Sequence, residues 1–115
     1  MDRFKHAFAG LITLLKKDHN FLIHIICALL VIILSFILRL SAIEWTIIII
    51  AIGTVLICES INTAIEFVVD LVTDSYATYA KYAKDIAAFA VLIASIVALV
   101  LGLIIFIPHI LNLIQ

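Results

Sequence analysis

Three stretches of the chain, residues 21–38, 45–58 and 86–107, contain no Asp, Glu, Lys or Arg. This constrains the fold more than any other feature. About 20 helical residues cover about 30 Å of hydrocarbon, so uncharged apolar runs of this kind read as membrane-spanning helices. The composition agrees: 67% of the residues are hydrophobic, against roughly 45–50% in soluble domains. At 115 residues the chain holds one domain at most. The expectation is an all-α integral membrane domain over 1–115, with an N-terminal amphipathic surface helix at 3–19. The three transmembrane helices are expected at 21–39, 43–72 and 76–107.

The flanking residues refine this. Phe4, Ala7, Phe8, Leu11, Ile12, Leu14 and Leu15 recur at helical spacing among Arg3, Lys5, Lys16 and Lys17. That pattern suits a helix lying on an anionic membrane leaflet. Arg39 and Ser41 end the first spanning run, and Trp45 sits where an interfacial aromatic belongs. The second helix is longer than a bilayer core needs and should emerge into cytoplasmic water. Residues 73–75 form the expected break, with Asp74 or Ser75 as the next helix cap. The third spanning helix starts polar, at Tyr76, and is expected to end at Pro108. Its alanines at 80, 83, 87, 90, 94 and 98 form a small-residue stripe that lets helices approach closely. With the N-terminus and residues 59–85 inside, Arg3, Lys5, Lys16, Lys17, Lys81 and Lys84 are cytoplasmic and only Arg39 lies outside. The positive-inside rule therefore predicts the N-terminus on the cytoplasmic side and the C-terminus outside.

Several functions are disfavoured. A net charge of −1, with no basic block, gives no reason to expect nucleic acid. Cys27 and Cys58 lie in apolar segments without a CxxC spacing and read as small hydrophobes. The first twenty residues lack the apolar core and cleavage site of a signal peptide. There is no Walker A loop, GxGxxG, nucleophile elbow or HExxH motif.

The polar residues of the second long helix carry the chemistry. Glu59, Asn62, Glu66 and Asp70 are spaced by three, four and four residues. At roughly 100° per residue they share a stripe about 80° wide. Three carboxylates and an amide on one face of a membrane helix are costly without a partner. Glu66 is a suitable hard oxygen ligand for Mg²⁺, with Asp18 on the same side as a second. Lys84 is a cation at the matching level of the third helix. Glu59, about 10 Å along the axis from Glu66, could take a proton from a lipid alcohol. Taken singly, each has a plainer reading. Glu59 and Asn62 could be packing contacts, Glu66 and Asp70 solvated carboxylates, and Lys84 and Asp85 interfacial anchors. The pair His19 and His24 lacks helical i, i+4 spacing and does not suggest a metal site.

The segment from Glu59 to Asp70 resembles the E-x-x-N-[ST]-A-I-E-x-x-x-D signature of the small bacterial integral-membrane diacylglycerol kinases. Ala83-Lys84-Asp85 resembles their second motif, and the similarity extends over nearly the whole chain. The resemblance implies a homotrimer with active sites between subunits at the cytoplasmic interface. It implies transfer of the γ-phosphate of Mg-ATP to a lipid hydroxyl. Glu59 would be the general base, Asn62 would orient the site and Glu66 would bind magnesium. Lys84 and Asp85 would contact nucleotide, with Asp70 in support. Two positions depart from the family. Its second metal carboxylate is usually glutamate, and here is Asp18. Its P-E-Y-H loop is here residues 74–77, which keep Tyr76 as a nucleotide contact but lose the imidazole. The acceptor expected from the resemblance is diacylglycerol, with undecaprenol as the alternative. A rival from another class is a small oligomeric channel or transporter. That rival would need polar groups through the whole bilayer, and residues 45–58 offer only Thr46, Thr54 and Gly53.

Overall fold

The structure, a computed structural model, describes residues 2–73 and 77–115. All regular structure among them is helical: α1 (Asp2–Lys17), α2 (His19–Leu38), α3 (Ala42–Val72) and α4 (Thr78–Ile114). α2, α3 and α4 are each long and apolar enough to cross a membrane. Most of their large apolar side chains face outward, among them Leu30, Ile50, Ile93 and Ile104. In water such a surface would aggregate; in hydrocarbon it is solvated by lipid tails as apolar as itself.

The helix ends follow from local chemistry. Asp18 N-caps α2, its carboxylate accepting the Phe21 N–H at 3.0 Å. Placing Asp18 at the cap starts the helix at His19, two residues before the expected position. At the other end Arg39 takes a left-handed conformation with φ 56°. Its N–H reaches the Phe36 carbonyl, and the Leu40 N–H reaches that of Ser35, which satisfies two carbonyls the helix leaves unpaired. Ser41 then caps α3 through a capping box. Its hydroxyl accepts the Glu44 N–H at 3.2 Å, and Glu44 accepts the Ser41 N–H at 2.9 Å. So short a link between two long helices makes them antiparallel neighbours.

α3 packs most extensively on α4. Ile48, Ala51, Val55, Glu59 and Asn62 are its buried positions, with Thr63 beside them. Spacings of three, four, four and three hold Ile48 to Asn62 on one face. Ala87 and Ala94 are buried on the facing helix, where their small size allows a close seam. Leu38, Leu40, Ile48 and Ile105 form an apolar cluster at the end of the bundle near the α2–α3 link. Trp45 meets Phe36 edge-on there, with centroids 4.8 Å apart.

α4 does not stop at Pro108, as the sequence reading expects, but continues to Ile114. Proline removes one N–H and crowds the preceding turn. In apolar surroundings, however, ending the helix would strand more backbone groups than the kink does. The turn beyond the proline is also pinned from outside α4. His109 Nε2 lies 3.1 Å from both carboxylate oxygens of Glu44. The expected cap at Asp74 or Ser75 lies outside the described residues. The described cap of α4 is Ala77, which has no side-chain hydrogen bond.

The Ser41 cap gives a direct test. Ser41→Ala should cost about 1 kcal/mol of stability. It would be read as a lower denaturation midpoint in detergent with unchanged helical circular dichroism.

Candidate active site

The buried face of α3 changes character along its length. It is apolar at Ile48, Ala51 and Val55, then polar at Glu59, Asn62 and Thr63. Glu59 is only 3% exposed, and Asn62 and Thr63 are 7% exposed. A carboxyl so deeply placed needs hydrogen-bonding neighbours. The Thr63 hydroxyl, one turn on, is 3.2 Å from Glu59 Oε2 and is also in contact with Asp18 Oδ2. A hydroxyl carries one proton and cannot donate to both carboxyls at once. Thr63 therefore couples the two acids.

Asp18 reaches this cluster from the link between α1 and α2. Burial opposes its charge, but hydrogen bonds from Thr63, the Phe21 N–H, Glu59 and the Asn20 N–H outweigh that. The balance holds the Asp18 carboxyl below the usual carboxylate range. The sequence reading places Asp18 beside Glu66 as a metal ligand. The structure places it instead against Thr63 and the first turn of α2.

Glu66 is exposed. Its Oε1 accepts a long hydrogen bond from Asn62 Nδ2 at 3.5 Å. Asn62 Oδ1 is buried and has no partner. On α4, Lys84 Nζ donates to Asp70 Oδ1 at 2.7 Å and also feels the charge of Glu66. Asp85 pairs with Lys81 on an exposed face. The described residues thus bring Asp18, Glu59, Asn62 and Glu66 into one chain of contacts, with Lys84 alongside and Asp85 turned to its own helix neighbour. Tyr76 lies outside the described residues.

Of two further participants, Thr63 was not singled out from the sequence, and His24 was weighed there only as a metal ligand. Thr63 is i+4 from Glu59, and that spacing could have identified it. His24, whose Nε2 is 3.9 Å from Glu59 Oε1, comes from another helix, and no sequence period points to it.

Among the described residues no three His, Cys, Asp or Glu side chains converge to hold a metal. A Mg²⁺ ion that arrives on a nucleotide needs only one or two carboxylates beside the phosphates. An exposed Glu66 fits that smaller requirement. Between α1 and α3 runs a groove of about 530 Å³, lined by Gly10, Leu14, Phe21, Thr63 and Phe67.

Comparison with known proteins agrees with this architecture. Residues 5–106 match the prokaryotic diacylglycerol kinase family. An undecaprenol kinase of Bacillus subtilis is 43% identical over 105 residues, covering 91% of this chain and 85% of the relative. A diacylglycerol kinase of Synechocystis is 40% identical over 111 residues. That alignment covers 96% of this chain but only 63% of the longer relative. The chain belongs to the prokaryotic diacylglycerol kinase family and is a membrane-embedded lipid kinase.

Proposed function

We propose that this protein transfers the γ-phosphate of Mg-ATP to the hydroxyl of a membrane lipid alcohol, with undecaprenol as its principal acceptor. The observation that carries the reaction is the course of the α3 stripe. It delivers a buried carboxyl, Glu59, at the end of an apolar seam, and an exposed carboxylate, Glu66, two turns further on. A lipid hydroxyl and a nucleotide need such an arrangement to meet.

In this reading Glu59 removes the proton of the lipid hydroxyl. The alcohol oxygen attacks the γ-phosphorus, and the bond from that phosphorus to the bridging oxygen breaks, releasing ADP. Glu66 would hold the Mg²⁺ that accompanies ATP, and that ion would neutralise charge on the phosphates. Lys84 exchanges Asp70 for phosphate oxygens, and Asp85 and Tyr76 are further nucleotide contacts. Asn62 holds Glu66 in position, and its unpartnered Oδ1 is left to accept from the bound substrates. Asp18 anchors the start of α2 to Thr63, which fixes the neighbour that Glu59 leans on. Both Asp18 oxygens already accept hydrogen bonds, which favours this role over metal binding.

The wider setting follows. Phe4, Phe8, Leu11 and Leu15 are exposed on α1, which suits a helix lying on the membrane surface. The excess of basic residues supports α1 and the site on the cytoplasmic side, and the family supports a bacterial inner membrane. The outward apolar faces suit self-association, as a homotrimer with sites between subunits. Undecaprenol is placed before diacylglycerol because the undecaprenol kinase matches at higher identity and over more of its own length. Diacylglycerol is the second reading, and the Synechocystis relative favours it.

The test offers purified protein in mixed micelles labelled ATP, Mg²⁺ and each lipid separately, and identifies the labelled product. Phosphorylated undecaprenol should form faster than phosphatidic acid; the reverse order overturns the acceptor assignment. Glu59→Gln should lower kcat by roughly a hundredfold or more while leaving a folded oligomer, and retention of most activity would remove Glu59 as the base. Glu66→Gln should raise the Mg²⁺ concentration needed for half-maximal rate, with the lipid KM less affected. Asp18 makes a pH prediction. Its depressed folded pKa contributes stability that is complete above the ordinary Asp value of about 3.9 and is lost as pH falls through the folded value. Asp18→Asn should therefore lower the denaturation midpoint at pH 7, with the difference from wild type shrinking on acidification.

A further inference from the structure

Transfer of a phosphoryl group from ATP to an alcohol releases a proton at every turnover. The Glu59 side chain is only 4% exposed, so a proton taken there does not pass straight to water. A base in this position stalls unless a neighbour carries that proton on. Among the described residues the groups beside it are the Thr63 hydroxyl, the Asn62 amide, the Asp18 carboxyl and the His24 imidazole. An amide has no acid–base use near neutrality. Thr63 passes a proton only by giving its own to Asp18. The hydrogen bonds that hold the Asp18 carboxyl below the usual carboxylate range make it a poor acceptor. His24 is the remaining group, and an imidazole takes up and gives up protons near neutrality.

We propose that His24 takes from Glu59 the proton of the lipid hydroxyl and passes it to water. The inference rests on the lipid-kinase reading above, with Glu59 as base, and adds the residue that resets it. His24 touches neither substrate in this role and acts through Glu59. The alcohol O–H bond breaks and its proton goes to the Glu59 carboxylate. The carboxyl then gives that proton to Nε2 of the neutral ring, and the imidazolium loses one proton to water. Three observations carry this. His24 Nε2 lies 3.9 Å from Glu59 Oε1, and proton-transfer contacts that are long before substrate binds tighten in the complex. Exposure rises in the required sense, from 4% for the Glu59 side chain to 24% for that of His24. His24 is also five residues from the start of α2 at His19, about 7.5 Å along the axis. The exposed Asn20 stands one turn nearer that end on the same face. The titratable groups about the ring are Glu59 of α3 and, on its own helix, Cys27. Asp18 acts on it through Glu59. The α4 side chains that share a cavity with it, Ser95, Ala98 and Leu99, carry no charge.

His24→Gln keeps a polar side chain and removes the ring. Its kcat should fall roughly tenfold or more, while the KM for ATP, the KM for lipid and the oligomeric state in detergent stay as in wild type. His24→Ala leaves a space where the ring was. Free imidazole added to that variant should restore part of the lost rate. Because the neutral form accepts the proton, the recovery should grow as pH rises through the titration of imidazole, and wild type should not respond. His19→Gln removes an exposed imidazole at the start of the same helix and should leave kcat unchanged. A wild-type kcat in His24→Gln overturns the proposal. A loss that shows wholly as a raised lipid KM overturns it too, and makes His24 a contact of the acceptor. A loss in His24→Ala that imidazole relieves at no pH, or loss of the oligomer in both His24 variants, gives His24 a packing role and likewise overturns it. Wild-type protein that phosphorylates no lipid alcohol, or Glu59→Gln that keeps most activity, would overturn the underlying reading first, and the relay with it.

Discussion

Holding a carboxyl inside a bundle of membrane helices is the constraint around which this structure is built. Lipid cannot solvate Glu59, so its neighbours must, and an unpaired ionisable group at that depth costs several kcal/mol on the order of a lost buried hydrogen-bond network. The nearest donor is the Thr63 hydroxyl, one turn away on the same helix. Thr63 is in turn engaged by Asp18, which also caps α2. One side chain thus starts a membrane helix and closes the polar cluster of the next. Substitution of Asp18 would act on α2 geometry and on the surroundings of Glu59 together, and the two effects would not be additive.

α3 serves as both a membrane span and a platform because its buried face is not uniform. Between Ile48 and Val55 it presents side chains that pack against α4 and need no partner. From Glu59 onward the same face presents groups that do need one. An α-helix keeps azimuth over many turns, so residues spaced by threes and fours form one continuous track. On this track apolar packing passes into polar chemistry without any break in the backbone. The helix is longer than the bilayer requires, and the surplus carries Glu66 and Asp70 to an exposed position.

That period is why so much of the site was legible. Glu59, Asn62 and Glu66 share a face in the sequence and share contacts in the structure. The three spanning helices followed from the uncharged runs with equal directness. Other features could not be read in this way. A period gives the face of one helix but not the rotation of its neighbour, so the approach of His24 to Glu59 was invisible. Asp18 was legible as a carboxylate before the first spanning helix, but the same residue type serves as metal ligand and as N-cap, and its capping contact with the Phe21 N–H was not legible. The turn of α4 past Pro108 is also held by a contact between His109 and Glu44, 65 positions apart in the chain, which no local rule for proline contains.

The exposed ion pair beside Glu66 bears most on how nucleotide would bind. Lys84 and Asp70 form an ion pair with side chains 40% and 60% exposed. Such pairs are screened by water and contribute little to stability. A triphosphate carries more charge than one carboxylate and offers several oxygens in place of Asp70. Exchange of partners by Lys84 therefore costs little and gains a stronger field, whereas the buried groups around Glu59 have no such freedom. The site divides into a rigid interior half, set by packing and helix capping, and an exchangeable outer half, set by solvent-exposed charge. On the reading proposed above, that division would match the two substrates: the interior half would face the alcohol confined to the bilayer, and the outer half the nucleotide that comes and goes through water.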